Sequence, residues 1–203
     1  MTRLGAAAVV PGAPDRRRRP QMPVEDFEEL ARRAPETVWL EFIGGRLAVK
    51  RGPDGNRSEI ISWLQGLWAG RARSPWLYVY RGLRTESDGM GRVSADGVLA
   101  LAGHFVGHGD WSDPGGVLMA VEVTAGDPDT DWFTRMEKPD GYAASGIPVY
   151  LLIDRDDCSV TVFTHPEDGR YRRQVKEPFG AAVKIPDPVG LTLETEALKE
   201  FVD

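Results

Sequence analysis

Glu122 is a carboxylate written into an apolar strand. In VLMAVEV (117–123) a period of two puts Leu118, Ala120 and Glu122 on one face and Val117, Met119, Val121 and Val123 on the other. An ionised acid there costs several kcal/mol unless something neutralises it. Asp96 repeats the pattern at the head of Gly97-Val98-Leu99-Ala100-Leu101. Neighbouring strands lie roughly 5 Å apart, so both acids can converge on one point. Converging carboxylates repel unless they share a proton or a cation. Oxygen-only donors of this kind suit a hard ion, magnesium or manganese. The plainer alternative pairs Glu122 with a buried Arg or Lys and makes Asp96 a turn cap; the residues alone leave both open.

Two further residues bear on the choice. Glu41 stands among Trp39, Leu40, Phe42 and Ile43, beside a polar turn, where an edge-strand acid is the simpler reading. Lys138 follows the Glu122 strand, and Asp131, Thr134/Arg135, Lys138 and Tyr142 recur at helical spacing, with Trp132, Phe133 and Met136 on the other side. Lysine is scarce, five against twenty arginines, and only lysine can lose its proton near working pH. Pro139 disfavours helical geometry at Lys138, so a kink or a restart is expected there.

The elements that must position these groups follow from periodicity. Residues 24–33 predict a helix, with acids early and arginines late. VWLEFI (38–43), Gly44-Gly45 and RLAVK (46–50) predict a hairpin. A second helix is expected over 58–72, burying Ile60, Ile61, Leu64, Leu67 and Trp68. WLYVY (76–80) and GLRTE (82–86) read as strands, as do 93–102 and 116–124. A helical stretch from about Asp131 to Ser145 leads into IPVYLLID (147–154), apolar enough to be covered on both faces. Strand, helix and strand in this order predict a right-handed crossover and a parallel pair. Beyond lie SVTVFTH (159–165), Asp168-Gly169, RYRRQVK (170–176), a Pro-rich turn region and a last short helix near 194–202. The class is α/β, or α+β, with a mixed sheet centred on residues 93–154.

These motifs in this order (LEFIGGRL, SADGVLA, VEVT, a helix with Lys138 and Tyr142, then GIPVYLLID) resemble the Uma-two family of restriction endonucleases, within the PD-(D/E)XK nuclease superfamily. The resemblance runs from about Met22 to Phe201. It implies a restriction-endonuclease-like mixed central sheet flanked by helices, and a magnesium- or manganese-dependent endonuclease acting on nucleic acid, DNA first. Asp96 and Glu122 would be metal ligands, Glu41 a further acid near the metal, and Lys138 the replacement for the superfamily's lysine two residues after the glutamate. Thr124 stands at that position here. Ala95 replaces the family's Pro, Ala125 its Ser, Thr134 its Asp and Arg57 its His. These departures keep a second outcome open, a nuclease-fold module that binds DNA or a protein without cutting. A third reading is a small-molecule enzyme with a carboxylate pair as acid and base, which predicts metal-independent chemistry and a partly protonated Glu122. Nucleases of this superfamily often dimerise, so a homodimer is also implied.

Composition sets the limits. The 203 residues, 41% apolar and 28% charged, suffice for one core-forming domain over 22–203, after a basic extension at 1–21. Residues 1–24 carry a net +4, leaving −10 on the rest, so phosphate contact must be local or helped by a cation. The Arg16–Arg19 run reads first as a solvated tail. One cysteine, Cys158, excludes an internal disulfide framework and reads as a structural thiol. No apolar run nears the roughly 20 residues of a membrane span, and a cytoplasmic location is expected. His104 and His108 lie among glycines, against a helical zinc pair, and are expected to border the cleft. The tryptophans are expected in core or interface positions.

Overall fold

A computed structural model describes residues 20–69, 75–86 and 90–202. Most of the extension, with its arginine run, lies outside them. At its end, Gln21 donates its backbone N–H to the Gly45 carbonyl, which ties the start of the domain to the first hairpin.

Helix α1 (Val24–Arg33) buries Val24 and Phe27, the latter stacked on Phe42. Strands β1 (Trp39–Ile43) and β2 (Arg46–Lys50) form the predicted hairpin, in register Glu41↔Ala48 and Trp39↔Lys50. Gly44 and Gly45, with φ of 56° and 72°, make a turn that L side chains rarely adopt. Helix α2 runs Gly55–Gly66: it starts three residues before the expected 58, because the Asp54 carboxylate caps it by accepting the Arg57 N–H at 2.7 Å, and it ends at Gly66, short of the expected 72. The two strands read over 76–86 are one, β3 (Pro75–Thr85), and β4 spans Gly91–Leu101. A two-residue β5 (Trp111–Ser112) precedes β6 (Val117–Val123).

The helical stretch after β6 divides into α3 (Pro128–Met136) and α4 (Lys138–Ala144). Pro139 is the reason: without an N–H it is tolerated only in a first helical turn, so a new helix starts at Lys138. Strand β7 (Val149–Asp154), buried throughout, pairs in parallel with β6 as predicted. Strands β8 (Ser159–Glu167) and β9 (Arg170–Pro178) complete the large sheet. A small β10–β11 ribbon (Ala182–Ile185 and Leu191–Glu194) and a 3-10 turn over Thr195–Phe201 end the chain.

The sheet order is β2-β1-β4-β6-β7-β8-β9, with β3 on β4 and β5 on β3. One face packs on α2 and the C-terminal ribbon through Ile60, Leu64, Val121, Leu151 and Leu193; the other packs on α4 through Ala120, Tyr142 and Tyr150. Glu122 shares the α4 face with Ala120, as the period predicts. Val117 and Leu118 are exchanged between faces, because the β4–β6 register shifts between Leu99 and Ala100. No helix among the described residues is long and apolar enough to cross a membrane.

Candidate active site

The site lies at a gap in the sheet. Strand β4 pairs with β3 along its length, so its other edge serves two partners: β1 at Arg92 and β6 from Gly97 to Ala100. Residues 93–96 fall between them. Side chains take over the hydrogen bonds that a neighbouring strand would make there. The Ser94 N–H is donated to Glu41 Oε1 at 2.8 Å, and the Ser94 carbonyl accepts from Lys50 Nζ. Asp96 Oδ2 accepts the Val123 N–H at 2.8 Å. Facing Asp96 on β3, the ladder skips Tyr80, whose φ of 50° is a left-handed conformation that costs a tyrosine about 1 kcal/mol or more.

The structure brings all four predicted residues together. Glu122 Oε1 accepts from Lys138 Nζ at 2.9 Å and from the Tyr142 hydroxyl at 2.7 Å. Lys138 Nζ also lies 3.0 Å from Glu41 Oε1. Glu41 is therefore a buried partner of the lysine, not an edge-strand acid. The restart at Pro139 aims Lys138 inward, where its side chain is 0% exposed. Asp96 and Glu122 do converge, but on a group the sequence reading passed over. Lys50 Nζ sits 2.8 Å from Asp96 Oδ1 and 2.9 Å from Glu122 Oε2. Arg57 approaches Asp96 Oδ1 at 3.7 Å. Both alternatives are thus realised in part: the acids share one point, and a lysine holds it.

Charge dominates the protonation states. Burial pushes the Glu122 carboxyl up, but the Lys138 and Lys50 charges, with the hydrogen bonds from Lys138 and Tyr142, bring it down to about 2. Burial works against the Lys50 ammonium, yet Asp96, Glu122 and Glu41 around it raise its pKa. Burial first, and then the Glu122 charge, push the Tyr142 hydroxyl well up. The lowered Glu122 pKa runs against the partly protonated carboxyl that a metal-independent acid–base pair would use.

The sign of the resulting pH dependence is fixed. Because the folded-state pKa of Glu122 lies below the ordinary 4.5, its contribution to stability is present above that value and is lost as pH falls towards about 2. Urea unfolding at pH 7 and pH 3 should show wild type losing more stability than Glu122→Gln across this window. Equal losses would mean that the carboxylate carries no such shift.

The family's departures are accommodated locally. Thr124 turns its hydroxyl away to accept the Arg155 N–H at 2.9 Å. The Ala125 N–H is held by Asp131 Oδ1 at 2.7 Å. Thr134 meets Tyr150 through its backbone carbonyl, 2.8 Å from the hydroxyl. Other expectations fare differently. The His104 and His108 rings lie tilted to each other with centroids 5.5 Å apart, and among the described residues no three His, Cys, Asp or Glu side chains gather as a metal-holding group. Cys158 is exposed at a turn, not a buried structural thiol. Trp76 and Trp132 are also exposed, at 55% and 46%, while Trp68 is core.

A mixed sheet of this order, split at β4 around buried acids and lysines, is a restriction-endonuclease-like fold. A crystal structure from Anabaena variabilis, described as that of "a putative nuclease belonging to DUF820", matches with a TM-score of 0.64 at 18% identity, covering 89% of this chain and 98% of that one. None of the curated proteins matches. Residues 24–196 match the Uma2 family, described as "Putative restriction endonuclease", and the chain belongs to that family.

Proposed function

We propose that the chain is an endonuclease hydrolysing phosphodiester bonds of nucleic acid, DNA first, with Mg²⁺ or Mn²⁺. The observation that carries this reading is a three-oxygen cradle of Asp96 Oδ1, Glu122 Oε2 and the Ser94 carbonyl, all contacted by one cationic group. Asp96 Oδ1 is fully buried, and its close contacts are cationic, the Lys50 ammonium at 2.8 Å and the Arg57 guanidinium at 3.7 Å. An oxygen-only set with such an atom fits a hard divalent ion once the Lys50 ammonium withdraws. Bound there, the ion would lower the pKa of a water and neutralise charge on the scissile phosphate.

The rest belongs to the chain. Tyr142 and Lys138 fix Glu122 Oε1, leaving Oε2 for the cradle. Lys138, pinned by Glu41 and Glu122, is the donor for the attacking water or a phosphoryl oxygen. A cleft beside β2, lined by Arg46, Arg51, Thr130 and Trp132, offers cationic and aromatic contacts for a nucleic-acid strand. Glu41, Lys50, Arg57, Asp96, Glu122 and Lys138 are each no more than 3% exposed, so the site must open before it cuts. That closure favours a second reading, a nuclease-fold binding module without catalysis.

Cleavage separates the two. Purified protein should nick supercoiled plasmid with Mg²⁺ or Mn²⁺ and stop on chelation. Asp96→Asn, which keeps an acceptor for the Val123 N–H, should slow nicking at least ~100-fold. Equal rates in the two preparations would assign the cleavage to a contaminant and leave the binding module.

A further inference from the structure

Lys50 reaches into the site from the edge of the sheet. Among the described residues strand β2 has β1 as its one strand partner, Lys50 is its last residue, and 51–54 have no regular structure before α2. From there its Nζ contacts Asp96 Oδ1, Glu122 Oε2 and the Ser94 carbonyl, three oxygens from β4 and β6. These are the oxygens of the cradle. We infer that Lys50 is a built-in competitor for the divalent ion: its ammonium fills the ion's position in the closed form, and ion binding requires Lys50 to withdraw with the end of β2. The inference rests on the metal-dependent reading above and adds a residue to it.

The charge balance argues for exchange and against simple addition. In the closed site three acids, Glu41, Asp96 and Glu122, face three cations, Lys50, Lys138 and Arg57. The site is neutral, and a divalent ion added to it would leave two uncompensated positive charges in a buried volume, which the low dielectric makes expensive. With Lys50 withdrawn, one negative charge remains. A divalent ion and one phosphodiester anion then restore neutrality together. The arrangement therefore couples ion uptake to substrate: the ion alone binds weakly, and better when a phosphodiester accompanies it. Lysine suits this task better than arginine, since its compact ammonium on a flexible stem fills a three-oxygen site and leaves it without breaking a bidentate fork.

The test is direct binding of Mn²⁺ to the intact chain, read from the electron paramagnetic resonance of the free ion. Lys50→Met should bind one Mn²⁺ at least tenfold more tightly than wild type, and its melting temperature should rise more on Mn²⁺ addition. Lys50→Gln serves in the same way if the methionine variant does not fold by circular dichroism. Adding Asp96→Asn should abolish the gain. In wild type, a non-cleavable phosphorothioate oligonucleotide should tighten Mn²⁺ binding, and in Lys50→Met it should do so much less. Equal Mn²⁺ affinity in wild type and Lys50→Met would overturn the inference while leaving a metal-dependent nuclease standing. No Mn²⁺ binding by folded Lys50→Met, together with no cleavage by wild type, would overturn both.

Discussion

Replacing Glu122 with alanine is expected to lower the unfolding free energy by roughly 3–5 kcal/mol, the cost of breaking a buried ion pair by removing one partner. The carboxylate receives Lys138, Lys50 and the Tyr142 hydroxyl, each within 2.9 Å. Without it three cations face two acids in a site closed to water, and the lost volume adds little by comparison. For a domain of this size the drop corresponds to a melting temperature lower by about 10 °C. Charge balance, not the side chain as such, is the source of the loss, and a double-mutant cycle tests that directly. Glu122→Gln keeps an acceptor for Tyr142 but loses the charge; Lys50→Met removes one cation. Urea unfolding should find the double variant about 1–3 kcal/mol more stable than the sum of the single effects. Strict additivity would mean that the 2.9 Å contact between Lys50 and Glu122 contributes nothing, and would remove the ground for treating the six charges as one balanced unit.

Periodicity was enough for the elements that carry the acids, because their signals are local. The β1–β2 hairpin, the α1 span, the β6–β7 parallel pair and the Glu122 face of β6 all follow from alternation, turn residues and the order of strand and helix. The restart at Pro139 was legible too, but its direction was not, since only the packing of α4 on the sheet decides where Lys138 points. Lys50 shows the limit most clearly. Its contact with Glu122 joins residues 72 apart in sequence, and no local rule links them. A signal was nevertheless present. The Gly44-Gly45 turn sets Glu41 opposite Ala48, which makes Lys50 the diagonal neighbour of Glu41 on the same face. A scarce lysine diagonal to an acid in an apolar hairpin is a stronger pointer to a buried pair than either residue alone. The gap at 93–96 could not be read at all, because it arises from β1 and β6 sharing one edge of β4.

Lys138→Met is expected to slow phosphodiester cleavage by ~10²–10³-fold, the range for removing one preorganised donor to a developing charge. The lysine is held 3.0 Å from Glu41 and 2.9 Å from Glu122, so its position is set before substrate arrives. Pre-set donors act on the transition state more than on binding, so the loss should fall on kcat, with KM changed less than threefold, an order-of-magnitude bound. Stability will fall as well, since two acids lose a shared cation, and a rate loss alone would not separate catalysis from folding. Lys138→Arg separates them. It keeps the charge that Glu41 and Glu122 require and should recover most of the melting temperature. The larger planar fork sets its N–H groups at other positions and angles than the compact ammonium, so the donor is displaced from the point Lys138 Nζ holds. Recovery of stability without recovery of kcat would make Lys138 a catalytic donor. Recovery of both would reduce it to a counter-ion for the acids, and the hydrolytic role would then have to fall on the residues of the cradle.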